Sequence, residues 1–332
     1  MKEKRKTQSD PLTWLSRKLE TLKMKDYIAK IEKEFDRNEL YQAHTWTAIK
    51  LIIFMWWLTV YSRIVPKHFK NYWYIDLLSS SGANFIQETK DIILGSPLLS
   101  YLVPYEQFKH HFFVEINSRR KKTLDRMLKL FNFSNYDTIQ GDCNEVIQSI
   151  PLHAVDNYFC FIDCEGLDVK WSTLETLLSN RGDILLVFQT TEINRVFRKG
   201  KKQGISQALD NFCGDEWWKF CDDVQELLEE YMHNLECRAN ELRKYHNFVD
   251  YIRVKGQRHF YYDVFLICRK GPYTDAWSDL KKTLENLQDK HIRAALEVCK
   301  GNQTTLSDFI KKQSKLNSFY KIITMVLVLP TN

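Results

Sequence analysis

Tyr72-Trp73-Tyr74-Ile75-Asp76-Leu77-Leu78-Ser79-Ser80-Ser81-Gly82 is an apolar run that ends in an acid and passes into a cluster of small residues. That pattern predicts a buried parallel strand turning into a tight loop. Small side chains there let backbone N–H groups come close to a ligand at the carboxyl end of a strand, where open α/β sheets bind theirs. Taken alone, the stretch is equally an ordinary βα turn, and its meaning depends on what surrounds it.

Downstream the same unit recurs. His111-Phe112-Phe113-Val114-Glu115 predicts a second strand, and Asn117 caps a basic amphipathic helix running to Leu130. Thr138-Ile139-Gln140-Gly141-Asp142 closes a third strand, followed by a short helix over 144–150. Tyr158-Phe159-Cys160-Phe161-Ile162-Asp163 reads as a fourth strand, apolar throughout as expected of one covered on both faces. A helix over 171–178 and a fifth strand over 183–188 complete the series. Strand and helix in alternation predict an α/β fold with a doubly wound, Rossmann-like, mostly parallel sheet. Four strands end at or just before an acid (Asp76, Glu115, Asp142 and Asp163), and right-handed crossovers bring those ends to one rim. One such acid is unremarkable; four in succession predict a site.

Beyond Phe188 the pattern changes. Arg195, Arg198, Lys199, Lys201 and Lys202 form an expected basic loop, either a solvated charge run or a holder of phosphates, and so a route to nucleic acid. The amphipathic stretch 216–243 predicts a helical insertion. Two apolar runs over 248–254 and 260–267 flank Lys255-Gly256-Gln257-Arg258-His259, which signals a C-terminal hairpin giving the sheet an antiparallel edge. A long helix is expected over 274–299, and Ile322 to Leu329 is an apolar run without an assigned place.

Upstream, residues 1–43 are polar with helical spacing, and the segment from His44 to Leu58 predicts a helix apolar nearly all round, hence covered on most sides. On it, His44 and Lys50 either face a ligand or are solvated. The run from Leu51 to Tyr61 is shorter than the roughly 20 apolar residues that span a bilayer, so no membrane is expected. The expected organisation is a helical N-terminal extension over 1–70, a Rossmann-like domain over 71–270 with its insertion at about 215–243, and a helical segment over 271–332. A chain of 332 residues, 44% hydrophobic and 27% charged, suits such a soluble protein. The net charge of +6 is a mild surplus compatible with a polyanionic partner. The eight cysteines are scattered without a C-x-x-C pair, so neither a zinc ribbon nor a redox dithiol is indicated, no metal is expected, and a reducing cytoplasm is.

A doubly wound sheet closed by a hairpin resembles the class I S-adenosylmethionine-dependent methyltransferases. More narrowly, the chain resembles the three-Cys-motif partner (TcmP) family. The matching residues are Trp46 with Lys50-Leu51, Tyr74-Ile75-Asp76-Leu77-Leu78, Gly95-Ser96-Pro97-Leu98 and Phe113-Val114-Glu115-Ile116. They continue with Gly141-Asp142-Cys143-Asn144, Phe161-Ile162-Asp163-Cys164-Glu165-Gly166, Trp171-Ser172-Thr173-Leu174-Glu175 and Ile193-Asn194-Arg195. The likeness covers roughly residues 44–268, in order.

The resemblance implies S-adenosylmethionine as cofactor, held by Asp76, Ser79, Ser80, Gly82, Glu115 and Asp142, with Asp163, Glu165 and Arg195 as the catalytic set. Glu115 would accept both ribose hydroxyls. Its separation of 39 positions from Asp76, against roughly 20 in a minimal dinucleotide fold, implies an insertion around 85–94 in the first crossover. Asp142 would accept from the adenine amino group or serve as a cap. Asp163 would orient the acceptor or take its proton, and Arg195 would hold a phosphate or pair with Asp163. Cys164 is either a nucleophile or a buried, inert thiol. Family members are paired with a three-Cys-motif protein similar to radical S-adenosylmethionine enzymes, which implies such a partner. Ser80-Ser81-Gly82-Ala83 and Asp163-Cys164-Glu165-Gly166 replace the family's usual Gly-Pro-Gly and Asp-Pro patterns. Three functions therefore stand open: a methyltransferase, perhaps on nucleic acid, a non-catalytic partner subunit with this fold, and a nucleic-acid-binding module.

Overall fold

The structure, a computed structural model, describes residues 11–242, 245–256, 260–285, 291–293 and 295. Two amphipathic helices, α1 (Pro11–Leu22) and α2 (Lys25–Glu34), lead to a short strand β1 (Tyr41–Ala43). The apolar helix follows as α3 (Thr47–Ile64), then the decisive strand β2 (Tyr72–Asp76). A hairpin, β3 (Ala83–Ile86) and β4 (Ile92–Leu94), occupies the first crossover and leads into α4 (Ser96–Leu102). Then come β5 (His110–Glu115), α5 (Ser118–Leu130), β6 (Tyr136–Gln140), α6 (Cys143–Val146), β7 (Asn157–Ile162), α7 (Trp171–Leu178) and β8 (Gly182–Phe188). The remainder is α8 (Thr190–Gln203), α9 (Gln207–Cys213), α10 (Val224–Leu242), β9 (Phe248–Lys255), β10 (Tyr261–Cys268) and α11 (Asp275–Leu284).

Seven strands form the main sheet in the order β6-β5-β2-β7-β8-β10-β9. In chain order that is 3-2-1-4-5-7-6: parallel throughout except for β10, which runs antiparallel to both β8 and β9. The chain leaves β2 to one side for β5 and β6, then crosses back to β7. The strand order therefore reverses at β2, where an open sheet leaves a crevice at its carboxyl edge.

Alternation along each central strand serves two cores. Phe159 and Phe161 of β7 belong to the cluster beneath α3, α4 and α5, whereas Tyr158, Cys160 and Ile162 belong to the one beneath α7 to α10. The N-terminal region is part of the first core rather than an appendage to it. Phe54 of α3 packs its ring on Tyr74, Phe159 and Phe161 at centroid distances of 6.0, 5.9 and 4.6 Å. Truncating such a buried aromatic to alanine costs about 3–5 kcal/mol.

One local expectation needs correction. The basic residues 195–202 lie on α8, not in a loop, because Ile193 and Phe197 recur at helical spacing and bury one face. α9 starts at Gln207, capped by Ser206 Oγ, which accepts from Leu209 N. α11 (Asp275–Leu284) accounts for the first part of the helix expected over 274–299, and the run Ile322 to Leu329 lies outside the described residues.

Candidate functional site

At the carboxyl edge, the turn after β2 is drawn tight against β5. Ser79 donates to Val114 O through both its backbone N (2.9 Å) and its hydroxyl (2.8 Å). Ser80 follows with φ +55°, a conformation uncommon for a residue with a Cβ. Gly82 (φ +90°) and Gly95 then bring two backbones together, Gly95 N donating to Gly82 O at 2.8 Å. A Cβ on Gly95 would sit 2.7 Å from that oxygen, so glycine is required there for close approach.

This turn, with β5 on one side and β7 on the other, walls a cleft of about 140 Å³ lined by Ser79, Ser80, Gly82, Glu115, Asp163 and Glu165 among others. Three polar atoms there lack partners. Ser80 Oγ and Gln189 Oε1 are buried without a hydrogen bond. Glu115, itself buried, accepts from Asn117 N through Oε1 (2.8 Å), while no described residue donates to its Oε2. Buried polar groups are paired in the great majority of cases, so Ser80 Oγ and Gln189 Oε1, with the free Glu115 Oε2 lining the same cleft, mark where a ligand's polar atoms belong.

Asp163 meets a cation that the sequence reading left open as solvated. Lys50 Nζ donates to Oδ1 at 2.7 Å and lies 2.5 Å from Oδ2, and both side chains are largely shielded from water. Burial raises the Asp163 pKa, and Lys50 pulls it part of the way back.

Glu165 is exposed and lines both the cleft and a neighbouring groove. Its Oε1 accepts from Tyr41 Oη at 2.7 Å and lies 3.6 Å from Arg120 Nη1, and the Arg120 guanidinium covers the Tyr41 ring at 4.9 Å. β1 delivers Tyr41 there by pairing parallel to β3 and by Tyr41 N donating to Ser81 Oγ at 3.0 Å. Tyr41, Glu165 and Arg120 also line a second groove of about 800 Å³. The three side chains thus lie where the inner cleft and the outer groove adjoin.

Other expected site residues fall elsewhere. Asp76 ends β2 but is fully buried behind the turn, where its Oδ2 accepts from Tyr74 Oη at 3.0 Å and burial raises its pKa to about 7. Asp142 acts as a cap, its Oδ1 accepting from Asn144 N (2.9 Å) and Asn144 Nδ2 (2.8 Å), and it does not line the cleft. Arg195 is exposed on α8 and pairs with Glu192, so it does not meet Asp163. Lys201 donates to Lys219 O and Cys221 O, both at 2.8 Å. Cys164 lines the cleft, but burial pushes its thiol pKa well up, so it is no ready nucleophile. His44 pairs with Glu88 at 2.7 Å.

No protein-family model matches the chain, and no curated protein matches it. Solved structures similar in fold include a Legionella pneumophila protein of the family-model DUF519 (TM-score 0.45, 11% identity, covering 70% of this chain and 90% of that one). Others are a Klebsiella pneumoniae protein described as a putative O-methyltransferase (0.38, 14%, 80% and 93%) and human methyltransferase-like protein 13 in complex with SAH (0.36, 13%, 73% and 90%). The order and direction of its own strands, mainly parallel with an antiparallel pair at one edge, make this a Rossmann-like α/β fold.

Proposed function

We propose that this chain is an S-adenosylmethionine-dependent methyltransferase of the three-Cys-motif partner kind, with its cofactor in the cleft between the β2 turn, Glu115 and Asp163. The carrying observation is the set of unpaired polar atoms there, Glu115 Oε2, Ser80 Oγ and Gln189 Oε1, at the edge where the strand order reverses. When bound, the cofactor supplies an electrophilic methyl group on a sulfonium.

The residues of the chain do the rest. Glu115 would accept a ribose hydroxyl at its free oxygen. Ser80 and Gln189 would pair with further polar atoms of the ligand. Asp163, made more basic by burial, would orient the acceptor and take its proton, while Lys50 fixes the carboxylate. Methyl transfer gains chiefly from alignment, and a buried ion pair at the cleft wall is a rigid means of alignment. With Tyr41, Glu165 and Arg120 in contact, the inner volume is below the roughly 300–1,000 Å³ of ligand pockets, so those contacts part for entry and re-form to exclude water. An anionic acceptor such as nucleic acid fits the outer groove, where Arg119 and Lys122 pair with no carboxylate among the described residues.

Calorimetric titration of S-adenosylmethionine into the full chain tests this reading. Saturable binding is expected, weakened about tenfold or more by Glu115→Ala. Folded protein that does not bind contradicts it, and a Glu115→Ala variant that binds equally well removes Glu115 from the cofactor site.

A further inference from the structure

The opposite edge of the sheet carries a second cavity of about 630 Å³, within the range of small-molecule sites. It opens where Asn157 begins β7, Gly182 and Asp183 begin β8, and Arg269 and Lys270 follow β10. α3 connects the two sites: Lys50 is in its first turn, and Val60 and Ile64 reach the cavity from its last, about 15–21 Å further along the axis. The walls are largely apolar, with Val60, Ile64, Val65, Phe69, Pro272 and Tyr273 among them.

Its charges are one-sided. Arg181, Arg269 and Lys270 line it, are exposed, and make no ion pair among the described residues. Arg181 is held by two rings, its guanidinium carbon 5.2 Å from the Phe69 centroid and 4.9 Å from that of Tyr245. Ring contacts engage the faces of a guanidinium and leave the N–H donors at its edge free, the arrangement that grips an oxyanion with two parallel bonds. The one acid among the lining residues is Asp183. Its Oδ2 accepts from Trp57 Nε1 at 2.9 Å, and burial raises its pKa to about 7.

We infer that this cavity binds an organic anion with an apolar tail, the oxyanion held by Arg181 with Arg269 and Lys270, and the tail lying against Val60, Ile64, Val65 and Phe69. The site is separate from the carboxyl-edge cleft and does not depend on the function proposed for it.

Decanoate is a suitable probe, titrated calorimetrically into the full-length protein beside uncharged 1-decanol. Saturable binding of decanoate is expected, at least about tenfold tighter than decanol, and Arg181→Gln and Arg269→Gln should each weaken it about tenfold. Both arginines are exposed, so neither substitution disturbs the core. Decanoate that fails to bind, decanol binding as tightly, or unchanged affinity in both variants would each overturn the inference. Glu115→Ala serves as a control and should leave decanoate affinity unchanged; a loss there would place decanoate in the other cleft and equally refute it.

Discussion

Lys50 and Asp163 are 113 positions apart in sequence, yet the ammonium of Lys50 lies within hydrogen-bond distance of both Asp163 carboxylate oxygens. The pair joins the first turn of α3 to the end of β7, on either side of the cleft. Each member is costly to bury alone, and together they fix the end of the helix to the strand edge.

Removing one partner should show that cost. Lys50→Met is expected to destabilise the protein by about 3 kcal/mol in urea unfolding, because Asp163 is left shielded from water without its countercharge. The double variant Lys50→Met/Asp163→Asn should recover much of the loss. A single variant within about 0.5 kcal/mol of the wild type would show that the pair is solvated.

The contact over the cleft predicts a kinetic effect. Tyr41→Phe removes the 2.7 Å hydrogen bond to Glu165 at a stability cost of about 1 kcal/mol. Association of S-adenosylhomocysteine, followed by stopped-flow fluorescence, should become several-fold faster. An unchanged rate would mean that the ligand enters by another path.

Burial raises the Asp183 pKa from 3.8 to about 7, so between those values the folded state retains a proton that the unfolded state releases. This contribution to stability is full below about pH 4 and declines as pH rises to about 7. Asp183→Asn lacks that decline and keeps an acceptor for Trp57 Nε1. Its stability relative to the wild type should therefore rise from pH 4 to 7, by at most about 1.4 kcal/mol per unit, and level off above. His111 and His246, buried with pKa values lowered to about 3 and about 4, are present in both proteins and cancel in the difference. Denaturant unfolding across this range checks it, and a flat difference would show Asp183 ionised throughout.

Most of the main sheet was legible in the sequence because its strands are short runs whose apolar residues pack locally against the covering helices. β2, β5, β6 and β7 end at or just before an acid, and β8, β9 and β10 follow as apolar runs without one at the end. The small sheet was not: β1 has three residues, and its partner β3 lies about forty positions away. Within the site, Glu115 and Asp163 face the cleft as expected, whereas Asp76 and Asp142 share the strand-end pattern but turn to Tyr74 and to a helix cap. Strand-end position sets the rim a side chain reaches, not the direction it takes. Lys50 did leave a signal, as the sole charged residue between Thr47 and Ser62 of an otherwise apolar, covered helix. A charge in such a setting requires a buried partner. Tyr41 and Arg120 left none, since their meeting at Glu165 depends on three separate elements.

The most direct measurement is a crystal structure of the full chain soaked with S-adenosylhomocysteine. The ligand is expected between the β2 turn and β7, with a ribose hydroxyl on Glu115 Oε2 and the sulfur directed toward Asp163. Density for the ligand elsewhere, or none in crystals of the intact fold at saturating concentration, would contradict the assignment of this cleft.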